Sequence, residues 1–214
     1  RAERRRMRWS LRRAERGDGL LDSPLPSQFW RVASVLVVIT IVNFPDALLL
    51  LRLIDIGFST TAMILAYVGF NLVYTLGAYP AGALADRWPR PVVYAVGLAA
   101  FVVGYAGLGW SHGGPWAFVF IAIYGLFPAF TDGVGKAWIS SLVPDAHRGR
   151  AQGVFQMLTS GSLLLAGVWA GALWEVGPGR GELPLVISGV VAAVAMVAMV
   201  IGRRWLPSAA AAAS

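Results

Sequence analysis

Two oppositely charged residues, Asp132 and Lys136, lie four positions apart near the end of a long apolar stretch, residues 116–142. Positions i and i+4 share one face of an α-helix, so the carboxylate and the ammonium group would be neighbours. One charge alone at the centre of a bilayer costs about 2.5–3.5 kcal/mol. The two residues are therefore either a structural pair within one helix or part of a solvated cavity, where each exchanges its partner for a proton or a charged solute. We favour the cavity, because ionisable residues inside membrane spans are functional candidates by default.

The first apolar stretch carries a second set of polar residues, within the segment TIVNFPDALLLLRL, residues 40–53. Three of them recur at a spacing of three and predict one polar stripe: Thr40, Asn43 and Asp46. Pro45 has no N–H to donate, so it predicts a weakened helix beside Asp46. Broken helices are common around ion and solute sites in membranes. Arg52 lies further round the helix near its end, where it would either snorkel to the surface or pair with Asp55.

Uncharged polar stripes mark the second and fifth apolar stretches. In the second, the residues at i, i+4 and i+7 share a face: Tyr67, Asn71 and Tyr74. In the fifth, a similar stripe contains Gln152, Gln156 and Thr159. A bare amide near mid-span is costly, so we expect Asn71 to face protein or a cavity. The candidate residues for a pathway of ions or solutes are Asp46, Asn43, Arg52, Asn71, Asp132, Lys136 and Gln156.

Long apolar stretches must position these residues. Hydrophobic residues make up 57% of the 214-residue chain and charged residues 14%, whereas soluble domains carry about 25% charged residues. A helix needs about 20 apolar residues to cross a bilayer. The stretches that qualify are about 31–53, 61–84, 92–110, 116–142, 151–174 and 184–202. We therefore expect an all-α membrane protein with six transmembrane helices.

The distribution of arginine predicts the orientation. One side of the bundle would hold an arginine-rich arm within residues 1–16, then Arg87 and Arg90, Arg148 and Arg150, and Arg203 and Arg204. The opposite side would hold Arg180, with Arg52 near a helix end. Because cytoplasmic loops carry the excess of Lys and Arg, both termini should be cytoplasmic in a multi-pass protein of the cytoplasmic (inner) membrane. The expected domains are a basic cytoplasmic arm or linker, 1–29, the helical bundle, 30–204, and a low-complexity tail, 205–214.

Composition and charge exclude several functions. The sequence contains no cysteine and only two histidines, so it has no thiolate nucleophile, and we predict no metal site and no cofactor. The net charge of +7 arises mainly from the arm, which favours topology setting or contact with anionic lipid over nucleic-acid binding. A membrane enzyme would need a nucleophile, a metal cluster or a carboxylate pair at one depth, and the spans contain none. A receptor or scaffold that transports nothing stays open at this point.

The order of the spans indicates an internal repeat. Spans one and four contain charges within the apolar run, spans two and five contain uncharged polar stripes, and spans three and six contain neither. The order charged, polar, apolar therefore occurs twice. Three plus three spans in opposite orientation is the arrangement of an inverted-repeat transporter.

Two loops carry a family resemblance. The segment GALADRWPR, residues 82–90, resembles the G-x-L-a-D-R-x-G-R-[KR] signature of the major facilitator superfamily at Gly82, Leu84, Asp86, Arg87 and Arg90. It departs from that signature at Pro89, where Gly is usual, and at Pro91, where a base is usual. The segment VPDAHRGRAQG, residues 143–153, which includes Arg148, is similar to the family's loop between the fourth and fifth helices. The segments NFPDALLLLR and TDGVGKA are similar to C-terminal halves of bacterial members.

The resemblance implies half of a twelve-helix secondary transporter that moves a small-molecule substrate by alternating access. It implies a cytoplasmic gate motif formed by Gly82, Asp86, Arg87, Arg90 and Arg148. It also implies a missing N-terminal six-helix half, joined through the basic arm, and a chain that begins without Met fits such a fragment. A second copy of a half-size subunit is the alternative partner.

A proton-coupled cycle would need a carboxyl group that gains and loses a proton. An apolar cavity favours the neutral form of a carboxyl group, whereas an adjacent ammonium group favours the ionised form. Lys136 lies next to Asp132 in the expected helix, so Asp46 is the better candidate for the proton carrier.

Overall fold

The computed structural model describes residues 24–202 and residue 206. Most of the expected basic arm, the arginines 203 and 204, and the expected tail apart from residue 206 lie outside the described residues. The described part is helical, with the elements α1 Ser27–Val42, α2 Asp46–Asp55, α3 Thr60–Ala85, α4 Arg90–Trp110, α5 Trp116–Tyr124, α6 Leu126–Ser141, a 3-10 turn Asp145–His147, α7 Arg148–Ala172 and α8 Glu182–Ile201.

Six segments of these helices are long and apolar enough to cross a membrane, which confirms the expected fold class. We number them span 1 to span 6: Ser27–Asp55, Thr60–Ala85, Arg90–Trp110, Trp116–Ser141, Asp145–Ala172 and Glu182–Ile201. Spans 1 and 4 each consist of two helices, α1 with α2 and α5 with α6. We call the end of the bundle with loops 86–89 and 142–147 the motif end.

Span 1 is interrupted between Val42 and Asp46, as the proline predicts. A continuous helix would pair the Ile41 carbonyl with the N–H of residue 45, but Pro45 has none. The indole Nε1 of Trp169 in span 5 donates to that carbonyl at 2.8 Å instead. The interruption is therefore tolerated inside the bundle, because a neighbouring span satisfies the released backbone group.

Span 4 is interrupted at Gly125, which the sequence analysis did not predict. A Cβ at Gly125 would lie 2.7 Å from the backbone oxygen of Phe70 in α3, so only glycine allows the two helices to approach this closely. Pro128 follows in the first turn of α6, where a missing N–H costs little. Glycine at this interruption therefore permits the close approach of spans 2 and 4.

Burial differs strongly among the spans. Within the most apolar 18 residues of each span, the buried share is 61% in span 3, 17% in span 2 and 22% in span 5. Span 3 packs between spans 4 and 6, and Gly97 and Gly104 let its backbone approach Thr131 and Tyr124. Span 3 is therefore the most enclosed of these six spans. Spans 2 and 5 expose large apolar side chains, including Leu65, Leu72 and Leu76 on span 2 and Leu164 and Val168 on span 5.

Candidate functional site

Polar side chains from α1, α4, α6 and α7 converge on one cavity of about 310 Å³, which we call the central cavity. Its polar lining residues are Thr40, Asn43, Tyr94, Thr131, Asp132, Lys136, Gln156, Thr159 and Ser160. The sequence-predicted residues Asn43, Asp132, Lys136 and Gln156 are therefore brought together from spans 1, 4 and 5. Apolar side chains such as Phe127, Phe155 and Leu163 complete the wall.

The two charged residues of the central cavity do not form a close ion pair. No Asp132–Lys136 contact within 4.0 Å occurs, although both residues lie in the described part of the chain. Instead, Asp132 Oδ2 accepts a hydrogen bond from the Tyr74 hydroxyl of α3 at 3.3 Å. Lys136 and Asp132 are both exposed in these six helices. The two charges therefore line the same cavity without a direct contact between them.

Asp46 lies outside the central cavity, in a network that joins the interruptions of spans 1 and 4. The Tyr124 hydroxyl lies 3.0 Å from Asp46 Oδ1 and 3.0 Å from Asn43 Oδ1. Tyr105 of α4 also donates to Asn43 Oδ1, at 3.4 Å. A tyrosine hydroxyl has one proton, so Tyr124 can donate to only one of its two neighbours at a time. Asn43 belongs to both sites, because it also lines the central cavity.

Arg52 is 3% exposed and bonds to backbone carbonyls at the end opposite the motif end. Its guanidinium donates to the oxygens of Leu108, Gly109 and Ser111, at 3.2, 2.9 and 3.1 Å, and of Arg180, at 2.6 Å. The first three oxygens are at the C-terminus of α4, where unpaired carbonyls and the helix dipole favour a cation. This arrangement differs from both sequence-based expectations, since Arg52 neither snorkels nor pairs with Asp55. Nor does it line the central cavity, because its donors are engaged elsewhere.

The carboxylate of Asp55 has other partners. Arg180 Nη1 lies 3.3 Å from Asp55 Oδ1, and the Trp174 indole donates to Asp55 Oδ2 at 2.9 Å. Arg180 also pairs with the exposed Glu175 at 2.6 Å. Together with Arg52, these bonds tie the end of α2 to span 3 and to the loop between spans 5 and 6.

Apart from Asn43, the predicted pathway contains two amides, and both have local partners. Asn71 donates from Nδ2 to the backbone oxygen of Tyr67, at 2.8 Å, and does not line the central cavity. Gln156 lines that cavity and donates to Ser160 Oγ at 3.3 Å, also within its own helix. A different glutamine, Gln152, joins α7 to α6 by donating to the Lys136 backbone oxygen at 2.6 Å.

The gate-motif residues occupy the motif end. The Asp86 backbone N–H bonds to the Gly82 oxygen at 3.2 Å and ends α3. Arg90, at the start of α4, donates to the Ser141 hydroxyl at the end of α6, so it joins spans 3 and 4. Arg148 pairs with Asp145 at 2.9 Å, and both are exposed. Asp86 forms no ion pair with Arg90 or Arg148, and Arg87 is exposed.

A second cavity of about 310 Å³ lies between α3 and α6, and we call it the side cavity. Asp86 and Arg90 line it near the motif end, and Tyr74 lines it deeper in the bundle. Tyr74 and Tyr124 were not among the predicted site residues, although the tyrosine stripe on span 2 was a signal for the first of them. Among residues 24–202, no cluster of His, Asp or Glu could hold a metal ion.

Comparisons with known proteins agree with this architecture. The family model described as the Major Facilitator Superfamily matches residues 30–213. An uncharacterized MFS-type transporter of Methanocaldococcus jannaschii is 25% identical over 177 residues, which cover 78% of this chain and 44% of that protein. The aligned region thus spans less than half the length of this relative. The family is one of multi-pass membrane transporters, and the chain belongs to the major facilitator superfamily.

Proposed function

We propose that this chain forms half of a secondary active transporter that moves a small solute across the cytoplasmic membrane by alternating access. The observation that carries this proposal is the central cavity, where Asp132 and Lys136 face the same space as Asn43 and Gln156. An exposed charge in hydrocarbon costs about 2.5–3.5 kcal/mol, so water or a polar solute must occupy this space. The cavity therefore serves as the solute pathway.

A second six-helix unit would cover the open side of the central cavity. Asp132 and Lys136 are exposed in the six helices alone, and spans 2 and 5 present exposed apolar side chains. Covering that side with a partner would keep both charges out of contact with lipid tails. The partner is either an N-terminal half, joined through the basic segment 1–29, or a second copy of this chain.

The motif end would face the cytoplasm, and both termini would lie there, because the arginine-rich loops favour that side. Within the proposed gate, Arg90 holds the ends of spans 3 and 4 together through Ser141. Asp86, Arg87 and Arg148 are exposed at this end and available to a partner unit when the gate closes. Arg52, with its carbonyl partners, would anchor the opposite end rather than contact the solute.

Proton coupling would act through Asp46. Its hydrogen-bond partner Tyr124 precedes the interruption of span 4, and Asp46 itself follows the interruption of span 1. A protonated Asp46 can donate to the Tyr124 oxygen, which frees the Tyr124 proton for Asn43. An ionised Asp46 needs that proton itself. Protonation of Asp46 would therefore alter the hydrogen bond between Tyr124 and Asn43. Because Asn43 lines the central cavity, the change would reach the solute pathway.

We expect Asp46→Asn to remove the pH dependence of cavity opening. The 214 residues contain no cysteine, so Ser160→Cys places one thiol in the wall of the central cavity with little change in shape. The measurement is the rate at which a membrane-impermeant thiol reagent labels this cysteine, from mildly acidic to mildly alkaline pH. Asp132→Asn, measured in parallel, reports on the other carboxyl group. If the pH profile of labelling is the same in both variants and in the parent, proton coupling through these groups is refuted.

A further inference from the structure

The helix α6 separates two cavities of similar volume. Lys136 faces the central cavity, whereas Gly133 and Ala137, on the other side of α6, line the side cavity. Asp132 lines the central cavity, and its neighbour in sequence, Gly133, lines the other. The carboxyl group therefore lies in a thin wall between two spaces.

Tyr74 crosses this wall. Its side chain lines the side cavity, and its hydroxyl donates to Asp132 Oδ2 at 3.3 Å. A tyrosine hydroxyl can accept one hydrogen bond while it donates another, so it can pass a proton along a chain of hydrogen bonds. This hydrogen bond is the direct link between Asp132 and the side cavity.

The side cavity is large enough to hold water, and its mostly small, apolar lining carries charged groups at the motif end. Its volume of about 310 Å³ is room for roughly ten water molecules at about 30 Å³ each. Small residues such as Ala78, Gly82 and Ala129 leave this space open between the two helices. Asp86 and Arg90 supply charged groups at its motif end, and Asp86 is exposed to solvent there.

We propose that the side cavity is a proton route, which connects Asp132 through Tyr74 to water at the motif end and is separate from the solute route. The ligand of this site is water that carries an excess proton. The inference rests on the proposed function, because it treats Asp132 as part of the solute pathway. It makes Asp132 a proton site in addition to Asp46.

The transfer involves two coupled proton movements. A hydronium ion in the side cavity forms a new O–H bond to the Tyr74 oxygen and becomes water. The original O–H bond of Tyr74 breaks, and its proton bonds to Asp132 Oδ2, which leaves the carboxyl group neutral. Rotation of the phenolic hydroxyl then restores the starting hydrogen bond.

Several charged or titratable groups face Asp132 from the surrounding helices. Lys136 is on the same helix, Tyr74 is on α3, and Tyr94 of α4 and Asp46 of α2 interact with Asp132 electrostatically. Tyr94 lines the central cavity, and Asp46 is bonded to Tyr124. Tyr74 contacts Asp132 and also lines the side cavity, so Tyr74 is the residue to replace in the test.

The test follows the protonation of Asp132 in the full-length transporter, reconstituted in lipid vesicles. A photochemical pH jump on the side of the motif end releases protons, and time-resolved infrared spectroscopy records the carboxyl band that Asp132→Asn removes. We expect Tyr74→Phe to slow this protonation at least about tenfold, since it removes the relaying hydroxyl. Ala137→Leu, which fills part of the side cavity, should slow it as well.

Tyr67→Phe is the matched control, because Tyr67 lies on the same helix and its hydroxyl forms no hydrogen bond with the described residues. It should leave the rate unchanged. Protonation of Asp132 at the parent rate in Tyr74→Phe, or in Ala137→Leu, would overturn the proton route. Labelling of Ser160→Cys by the thiol reagent tests the proposed solute pathway separately. Tyr74→Phe should leave the rate of this labelling unchanged. If this cysteine stays unlabelled while Tyr74→Phe and Ala137→Leu still slow the protonation of Asp132, the solute pathway is refuted but the proton route is not.

Discussion

Replacing Arg52 with methionine is expected to lower the free energy of unfolding by about 3 kcal/mol or more. Methionine fills similar space but leaves four backbone oxygens without the donor they have now. Each buried polar group left unpaired costs about 1–3 kcal/mol, although water at this end of the bundle offsets part of the loss. Unfolding in mixed detergent micelles, followed by tryptophan fluorescence, measures the effect.

Two further variants separate the cause of this effect. Arg52→Lys keeps the charge but loses the planar fork that reaches several carbonyls at once, so it should fall between the parent and Arg52→Met. Arg31→Met removes an exposed arginine from the same span and should change stability by less than about 0.5 kcal/mol. Equal stability of Arg52→Met and Arg31→Met would contradict an anchoring role for Arg52.

Neutralising Lys136 is expected to reduce transport by about 100-fold while leaving the fold intact. Removing one partner of a desolvated charge contact in a binding site costs about 2–5 kcal/mol, which corresponds to a loss of about 30-fold to several thousand-fold. In a solvated cavity the same change should alter the free energy of unfolding by less than about 1 kcal/mol. Uptake into vesicles, with a solute that the parent protein transports, and unfolding of Lys136→Gln give the two values.

The same variant distinguishes the two interpretations of the charges on α6. A closed, buried Asp132–Lys136 pair would make Lys136→Gln cost about 3–5 kcal/mol of stability, because Asp132 would remain as an unpaired buried charge. Its effect would also be largely cancelled by adding Asp132→Asn. Arg148→Gln is the control for stability alone, since Arg148 is an exposed base that pairs only with its neighbour Asp145 in the described structure. It should change the free energy of unfolding by less than about 0.5 kcal/mol. A large loss of stability that the double variant restores would favour the structural pair over the cavity.

Hydropathy and charge predicted the architecture, because each membrane span is recognisable from the residues of its own stretch of sequence. Long apolar runs cannot form soluble structure, so the six spans follow from composition and length. The interruption of span 1 was predictable because Pro45 lacks a donor wherever it is placed. The grouping of Asp132, Lys136, Asn43 and Gln156 was predictable in outline, since polar groups in a membrane must face one another, protein or water.

Other features depend on contacts between spans, which periodicity does not encode. Gly125 lets the Phe70 carbonyl approach the interruption of span 4, and nothing near Gly125 in the sequence indicates that approach. Arg52 was expected at the surface or beside Asp55, because a helical pattern cannot reveal the free carbonyls of α4. The tyrosine stripe of span 2 predicted a shared face, but not that Tyr74 would reach Asp132.

The central claim is that the space beside Asp132 and Lys136 is an aqueous solute pathway, open to one side of the membrane at a time. Its most direct test is labelling of Ser160→Cys by a membrane-impermeant thiol reagent, added separately to each side of oriented vesicles. Ser188→Cys is the control, because Ser188 is fully buried in α8 and should not react. We predict that Ser160→Cys reacts from both sides, and that conditions which speed labelling from one side slow it from the other. A cysteine at Ser160 as unreactive as one at Ser188, from either side and in every condition, would contradict the account.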